Sequence, residues 1–172
     1  MLEAKLELLA TVDELTGAHN RRSILTQAEI ELRRSLRFNR PLALLFLDID
    51  HFKQVNDRFG HKTGDIVLST FSNVCRGALR PSDMVGRFGG EEFLVVLPET
   101  GLNQAVTVAE RLMEHVRRTV FSADLPARGI TTSVGVTAIR GPDDTVEAAL
   151  ERIDRALYRA KELGRDRIET EL

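Results

Sequence analysis

The 172-residue chain has little of several things that would direct a reading toward common function classes. Its one cysteine, Cys75, excludes an internal disulfide, and without a Cys-x-x-Cys pair there is no structural zinc site of that kind. Cys75 follows Leu68 and Phe71 at helical spacing, so it reads as a small buried hydrophobe rather than a nucleophile. Long apolar runs are missing: the longest strongly apolar stretch, Leu42 to Leu47, is far too short to span a bilayer. The opening MLEAKLELLATVDEL is acidic and lacks the basic and apolar segments of a secretory signal. The expectation is a cytoplasmic protein, or the cytoplasmic piece of a larger one, with no membrane contact by this segment. An excess of either charge is also absent. Twenty-four basic and 26 acidic side chains leave a net charge of −2 and a pI near 6.1. That balance supplies no general field for nucleic acid or anionic lipid, so any anion must be held by a local cluster. Lysine is scarce: four (Lys5, Lys53, Lys62, Lys161) stand against twenty arginines, which makes the position of each lysine informative.

What is present is a globular mixture, 42% hydrophobic and 29% charged, at a length that suits one domain. Leu2, Leu6 and Leu9 begin a helical stripe, which Thr16-Gly17 breaks. Asn20 is placed to cap a helix starting at Arg21, with Ile24, Leu25, Ala28, Leu32 and Leu36 on one face. LALLFLDID predicts a central strand buried on both faces. The turn-rich HFKQVNDRFGHKTGD follows, then a helix from about Ile66 to Leu79. MVGRF and EFLVVLPE predict a hairpin around Gly89-Gly90. A helix over Leu102–Val120, the β-branched strand GITTSVGVTAI and a last helix from Val146 to a stop at Gly164 complete the chain. The order is a βαββαβ, ferredoxin-like core: an α+β fold with helices on a mainly antiparallel sheet.

Acidic residues mark the strand ends. Asp48 and Asp50 close the buried strand, and Glu91 and Glu92 follow the glycines. Carboxylates converging from neighbouring strands repel one another unless a cation sits among them, and hard oxygen ligands suit Mg²⁺ or Mn²⁺. The plain alternative is a set of solvated loop acids. Two adjacent glycines permit positive φ and let backbone approach a ligand without a Cβ in the way.

These residues carry a resemblance. RFGGEEF (Arg87–Phe93) resembles the GG[DE]EF motif of the GGDEF-domain diguanylate cyclase family, as a GGEEF variant. DELTGAHNRR (Asp13–Arg22), DIDHFKQVNDRFGHKTGD (Asp48–Asp65), SVG (Ser133–Gly135) and DRALYRAKELGRDR (Asp154–Arg167) resemble its other blocks, in order. The resemblance implies condensation of two GTP into cyclic di-GMP with release of two pyrophosphates. It also implies two Mg²⁺ or Mn²⁺ per active site, held by Asp48, the Ile49 carbonyl, Glu91 and Glu92. Glu91 is implied to deprotonate the attacking 3′-hydroxyl, and Lys53 to stabilise the transition state. Phe52 and Lys53, which open a short helix after the strand, would hold terminal phosphates with their N–H groups, Asn56 and Asp65 would read guanine, and His61, Lys161 and Arg165 would contact substrate. Arg80 and Asp83, an Arg-x-x-Asp pair, with Arg111, match the family's inhibitory site for product.

Residues 1–12 are then a helical stub or linker and 13–172 the catalytic domain. The resemblance implies catalysis across a homodimer with one GTP per subunit, and the short stripe suggests an upstream sensory or dimerising segment. Two departures stand out: Asp166, where Asn is usual, adds a negative charge beside Arg165, and Ala18-His19 replaces a commoner Leu-containing pair. The competing readings are a degenerate domain acting as a GTP or cyclic di-GMP receptor, and a plain dimerisation module. The complete set of acidic and glycine positions favours the enzyme over both.

Overall fold

The computed structural model describes residues 1–126 and 129–172; the side chains of Leu8 and Leu9, the latter part of the N-terminal stripe, lie outside the described set. The elements run α1 (Leu2–Thr11), α2 (Arg21–Phe38), β1 (Leu42–Ile49), α3 (Phe52–Phe59), α4 (His61–Ala78), β2 (Met84–Gly89), β3 (Glu92–Pro98), α5 (Leu102–Arg118), β4 (Thr132–Ala138), α6 (Val146–Glu162) and β5 (Ile168–Thr170). The sheet order is β2-β3-β1-β4-β5. β1 pairs antiparallel with both β3 and β4, β2 pairs antiparallel with β3, and β5 lies parallel to β4. The α+β class and the mainly antiparallel sheet are as the sequence predicts.

Every residue of β1 is buried, because helices cover both sheet faces. Ala43, Leu45, Leu47 and Ile49 join α3, α4 and α5 in one core; Leu42, Leu44 and Phe46 join α2 and α6 in the other. This alternation is the period-2 geometry of a strand. α6 approaches β4 so closely that a Cβ on Gly135 would lie 2.3 Å from the Ile153 carbonyl oxygen, which explains glycine within that strand. Cys75 is fully buried, as its spacing predicts.

Three sequence expectations need correction. The turn-rich segment is two helices: the short one opened by Phe52 and Lys53 runs to Phe59, and α4 starts at His61 rather than Ile66. Phe52 and Val55 are buried with Phe59 packed against the same core, so the turn formers are the polar face of an amphipathic helix. Gly60, at φ 89°, is the sole residue between the helices. β5 is unforeseen, being only three residues long and joined by one parallel pairing. The strand expected from Gly129 begins at Thr132. Among the described residues no helix is long and apolar enough to cross a membrane.

Candidate active site

β1 and β3 run antiparallel, with Asp48 opposite Glu92 and the Ile49 N–H donating to the Glu91 carbonyl at 3.3 Å. The C-terminal end of the central strand therefore meets the N-terminal end of its neighbour, and Asp48, Ile49, Glu91 and Glu92 share one corner. Asp48 is buried, and Glu91 and Glu92 are half-buried. Burial pushes the Asp48 carboxyl up to about 6; Lys161 opposes this, while the charges of Glu91 and Glu92 add to it. The Lys161 ammonium, projecting from α6, lies 2.9 Å from Asp48 Oδ2. A cation thus already sits against the acid whose ionisation burial, and to a lesser degree its acidic neighbours, opposes.

Asp50, grouped with these acids on sequence, has a different duty. Its carboxylate accepts from Ser133 Oγ at 2.6 Å, Thr131 Oγ1 at 2.7 Å and the Asp166 N–H at 3.1 Å. Those donors tie the end of β1 to β4 and to the loop after α6. Among the described residues no three acidic, histidine or cysteine groups form a ready metal cage. Asp48, Glu91 and Glu92, expected from the sequence to share metal, are therefore near one another without forming such a group.

The Gly89-Gly90 turn also departs from expectation. Neither glycine has positive φ, so the backbone conformation does not demand them. A Cβ at Gly90 would meet nothing within 4 Å, and one at Gly89 only Glu92 Oε2 at 3.7 Å. No neighbour within the described chain needs these side chains to be missing, and the space above the turn stays open. Arg87 braces it: its Nε donates to the Gly90 carbonyl at 2.9 Å and its guanidinium pairs with Asp13 at 3.5 Å.

β1 hands over to α3 through His51 in the left-handed region, φ 56°. His51 contributes no side-chain cap, which leaves the Phe52 and Lys53 N–H groups at the helix start available to an anion. Lys53 is exposed. The α3–α4 hairpin then brings half-buried Asn56 against the first turn of α4, where His61 and Asp65 are exposed.

Residues 10–167 match the family model described as diguanylate cyclase, GGDEF domain. The chain belongs to the GGDEF-domain family. It is 41% identical over 172 residues to the response regulator PleD of Caulobacter vibrioides, covering 97% of this chain and 37% of PleD. It is 45% identical over 160 residues to the diguanylate cyclase DgcP of Pseudomonas aeruginosa, covering 93% and 24%. The solved GGDEF domain of DgcB from Caulobacter crescentus, in complex with c-di-GMP, is similar with a TM-score of 0.87 at 32% identity, over 94% of this chain and 95% of that one. The chain spans well under half the length of these two curated relatives.

In this GGDEF domain the Arg-x-x-Asp turn is closed on itself. The fully buried Asp83 carboxylate accepts from the Arg80 backbone N–H at 3.0 Å and from its guanidinium at 3.2 and 3.3 Å. Arg80 also donates to Thr100 Oγ1 at 2.9 Å, yet half of its side chain remains exposed. The Asp83 partnership raises the Arg80 pKa. Arg111 reaches from α5 to donate to the Ala78 carbonyl at 3.1 Å, beside the turn. A cavity of about 610 Å³ opens next to it, with Arg34, Phe38, Arg80, Pro81 and Glu99 in its walls.

The loop after α6 departs from the sequence reading. The Asp166 carboxylate does not bear on Arg165: it pairs with Arg117 of α5 at 3.0 Å, and its N–H serves Asp50. Arg165 is exposed and Gly164 ends α6 at φ 119°, as expected of the stop. Ala18 is buried, and His19 joins β2 through backbone bonds to Val85 and Arg87, so this pair anchors the N-terminal turn. Sequence reasoning gave no role to Asp13, Arg87 or Arg117, and it set Asp50 among the cation-seeking acids rather than with its hydroxyl partners. Asp13 and Arg87 lay within quoted motif blocks, which was the available signal; nothing local marks Arg117.

Proposed function

We propose that this GGDEF domain condenses two GTP into cyclic di-GMP, releasing two pyrophosphates, across a homodimer in which each subunit holds one GTP. The observation that carries this is the corner where Asp48, Ile49, Glu91 and Glu92 meet beneath a glycine turn left open above. The relatives named for diguanylate cyclase activity and the DgcB domain's complex with c-di-GMP support it.

Asp48, the Ile49 carbonyl, Glu91 and Glu92 are the residues that would hold Mg²⁺ or Mn²⁺, two per site. The cation-seeking state of Asp48, already met by Lys161, fits that group. Bound there, such ions stabilise attacking and leaving oxygens of an in-line displacement at the α-phosphate. The protein's own part is positioning and charge placement. The Phe52 and Lys53 N–H groups grip the terminal phosphates, and the Lys53 ammonium balances charge building toward pyrophosphate. Asn56 and Asp65 read the guanine edge, with Asp65 accepting from its N1 and N2 donors, while His61 contacts substrate beside them. Lys161, once released from Asp48, joins Arg165 on phosphate oxygens. Glu91 removes the 3′-hydroxyl proton as that oxygen attacks the facing nucleotide. Glycines 89 and 90 let backbone approach without side chains intervening.

Product binds at Arg80, Asp83 and Arg111, with guanine O6 and N7 addressed by the exposed part of Arg80, and restrains turnover. Residues 1–12, whose Leu2 and Leu6 are exposed, connect the catalytic domain 13–172 to an upstream sensory or dimerising segment. The enzyme works in the cytoplasm, where GTP is supplied. Incubating a dimeric sample with GTP and Mg²⁺ tests the proposal: cyclic di-GMP should accumulate with the parent and be absent with Glu91→Gln. GTP binding without product from a demonstrated dimer would make the domain a receptor.

A further inference from the structure

Asn56 lies on α3 and Asp65 on α4, and the two helices are joined by Gly60 alone. The Gly60 N–H donates to the Asn56 carbonyl at 2.9 Å, and the Gly64 N–H donates to the Gly60 carbonyl at 3.1 Å. Asn56, Gly60 and Gly64 therefore follow one another at four-residue steps around the fold-back, which lays the Asn56 side chain across the first turn of α4. A Cβ on Gly64 would sit 1.9 Å from Asn56 Oδ1, 3.0 Å from its Cγ and 3.3 Å from Phe52 Cζ. The first distance is a collision, and every atom in that set belongs to a side chain.

Glycine is not there for its backbone freedom. Gly64 lies inside a helix without positive φ, a place where alanine is the better helix former. Nor does a backbone neighbour need the space. What occupies it is the Asn56 carboxamide, which makes no side-chain hydrogen bond among the described residues and is held there by shape. We infer that Gly64 is the seat of Asn56 and so a positioning residue for guanine recognition, a role that rests on the guanine-reading assignment proposed above. Adding a methyl group at 64 leaves the fold intact, because the Asn56 side chain can swing away, but it moves the carboxamide by about 1 Å or more, enough to spoil a recognition contact.

The test is equilibrium binding of 3′-deoxy-GTP and 3′-deoxy-ATP with Mg²⁺ to the full chain; neither nucleotide has the attacking hydroxyl. Gly64→Ala should weaken 3′-deoxy-GTP about tenfold to a hundredfold and erase the preference over 3′-deoxy-ATP. Its melting temperature should equal or exceed the parent's. Asn56→Ala should show the same loss, and Asn56→Ala combined with Gly64→Ala should bind no worse than Asn56→Ala alone. If Asn56→Ala loses affinity while Gly64→Ala retains it, the seat is overturned and guanine reading stands. If Asn56→Ala changes neither affinity nor preference, the guanine-reading role falls and takes the seat with it. A double variant weaker than Asn56→Ala alone would trace the need for glycine to the backbone and overturn the inference as well.

Discussion

Asp48, inside the end of β1, and Asp50, just beyond it, stand two residues apart and do opposite things. Asp50 has two hydroxyls and a backbone N–H as donors. Asp48 has Lys161, two repelling glutamates and burial that raises its pKa to about 6. Folding thus favours the protonated form of Asp48, so its contribution to stability is full below about pH 4, the unfolded value, and is lost as pH rises through 6. Without divalent metal, Asp48→Asn should be more stable than the parent at pH 7.5 by up to about 3 kcal/mol, and the gap should shrink to about 1 kcal/mol at pH 4.5. Urea unfolding at the two pH values checks this. The same variant should lose turnover, since the carboxylate is strained for function rather than for folding. At the turn remote from the corner, Arg80→Ala should leave turnover intact but abolish inhibition by added cyclic di-GMP, read as initial rates with and without product. The sequence places both aspartates at the strand end; which one is saturated by donors depends on Thr131, Ser133 and Asp166, which lie far along the chain and become neighbours only on folding.

Elements differ in how plainly the sequence announces them. β1, α2, α5 and α6 carry long apolar periodicities, and the caps Asn20 and Thr145 hold N–H groups as such residues do. α3 was legible only at its start, where Phe52 and Lys53 open it, because eight residues offer barely two turns of pattern and its polar face reads as loop. β5 has no periodicity to detect and is held by its parallel register with β4 and by Arg159 and Arg155 on Glu171. The loop between α6 and β5 shows how tertiary contacts alter a local reading. Asp166 looked like a charge set against Arg165, whereas Arg117 takes it up from α5. That exposed pair adds at most about 1 kcal/mol of stability, but it holds the backbone that presents Arg165. Arg117→Ala should therefore raise the KM for GTP several-fold with kcat and melting temperature nearly unchanged, and the charge swap Arg117→Asp with Asp166→Arg should recover much of the loss. Steady-state kinetics on the three proteins decide it.

For the whole molecule, the sheet order sets where the acidic strand ends meet. With β1 central and antiparallel to β3, the acid-bearing end of one strand lies against the acid-bearing start of the other, while α6 delivers Lys161 from the covering layer. This meeting point was legible as acids at strand ends plus a Gly-Gly pair, but the pairing of β1 with β3, and the withdrawal of Asp50 to its own donors, had to be seen. On the proposed function each corner holds one GTP, so two corners must face each other for two GTP to react. Rate per subunit should accordingly rise with protein concentration, and a flat specific activity over a wide dilution range would exclude transient pairing as the limiting event. The most direct measurement follows cyclic di-GMP formed from GTP and Mg²⁺ by a demonstrably dimeric sample of the parent, beside Asp48→Asn and Glu91→Gln. Product from the parent and none from either variant is the expected result; no product from the parent dimer, or undiminished product from both variants, would contradict the assignment of this corner as a diguanylate cyclase active site.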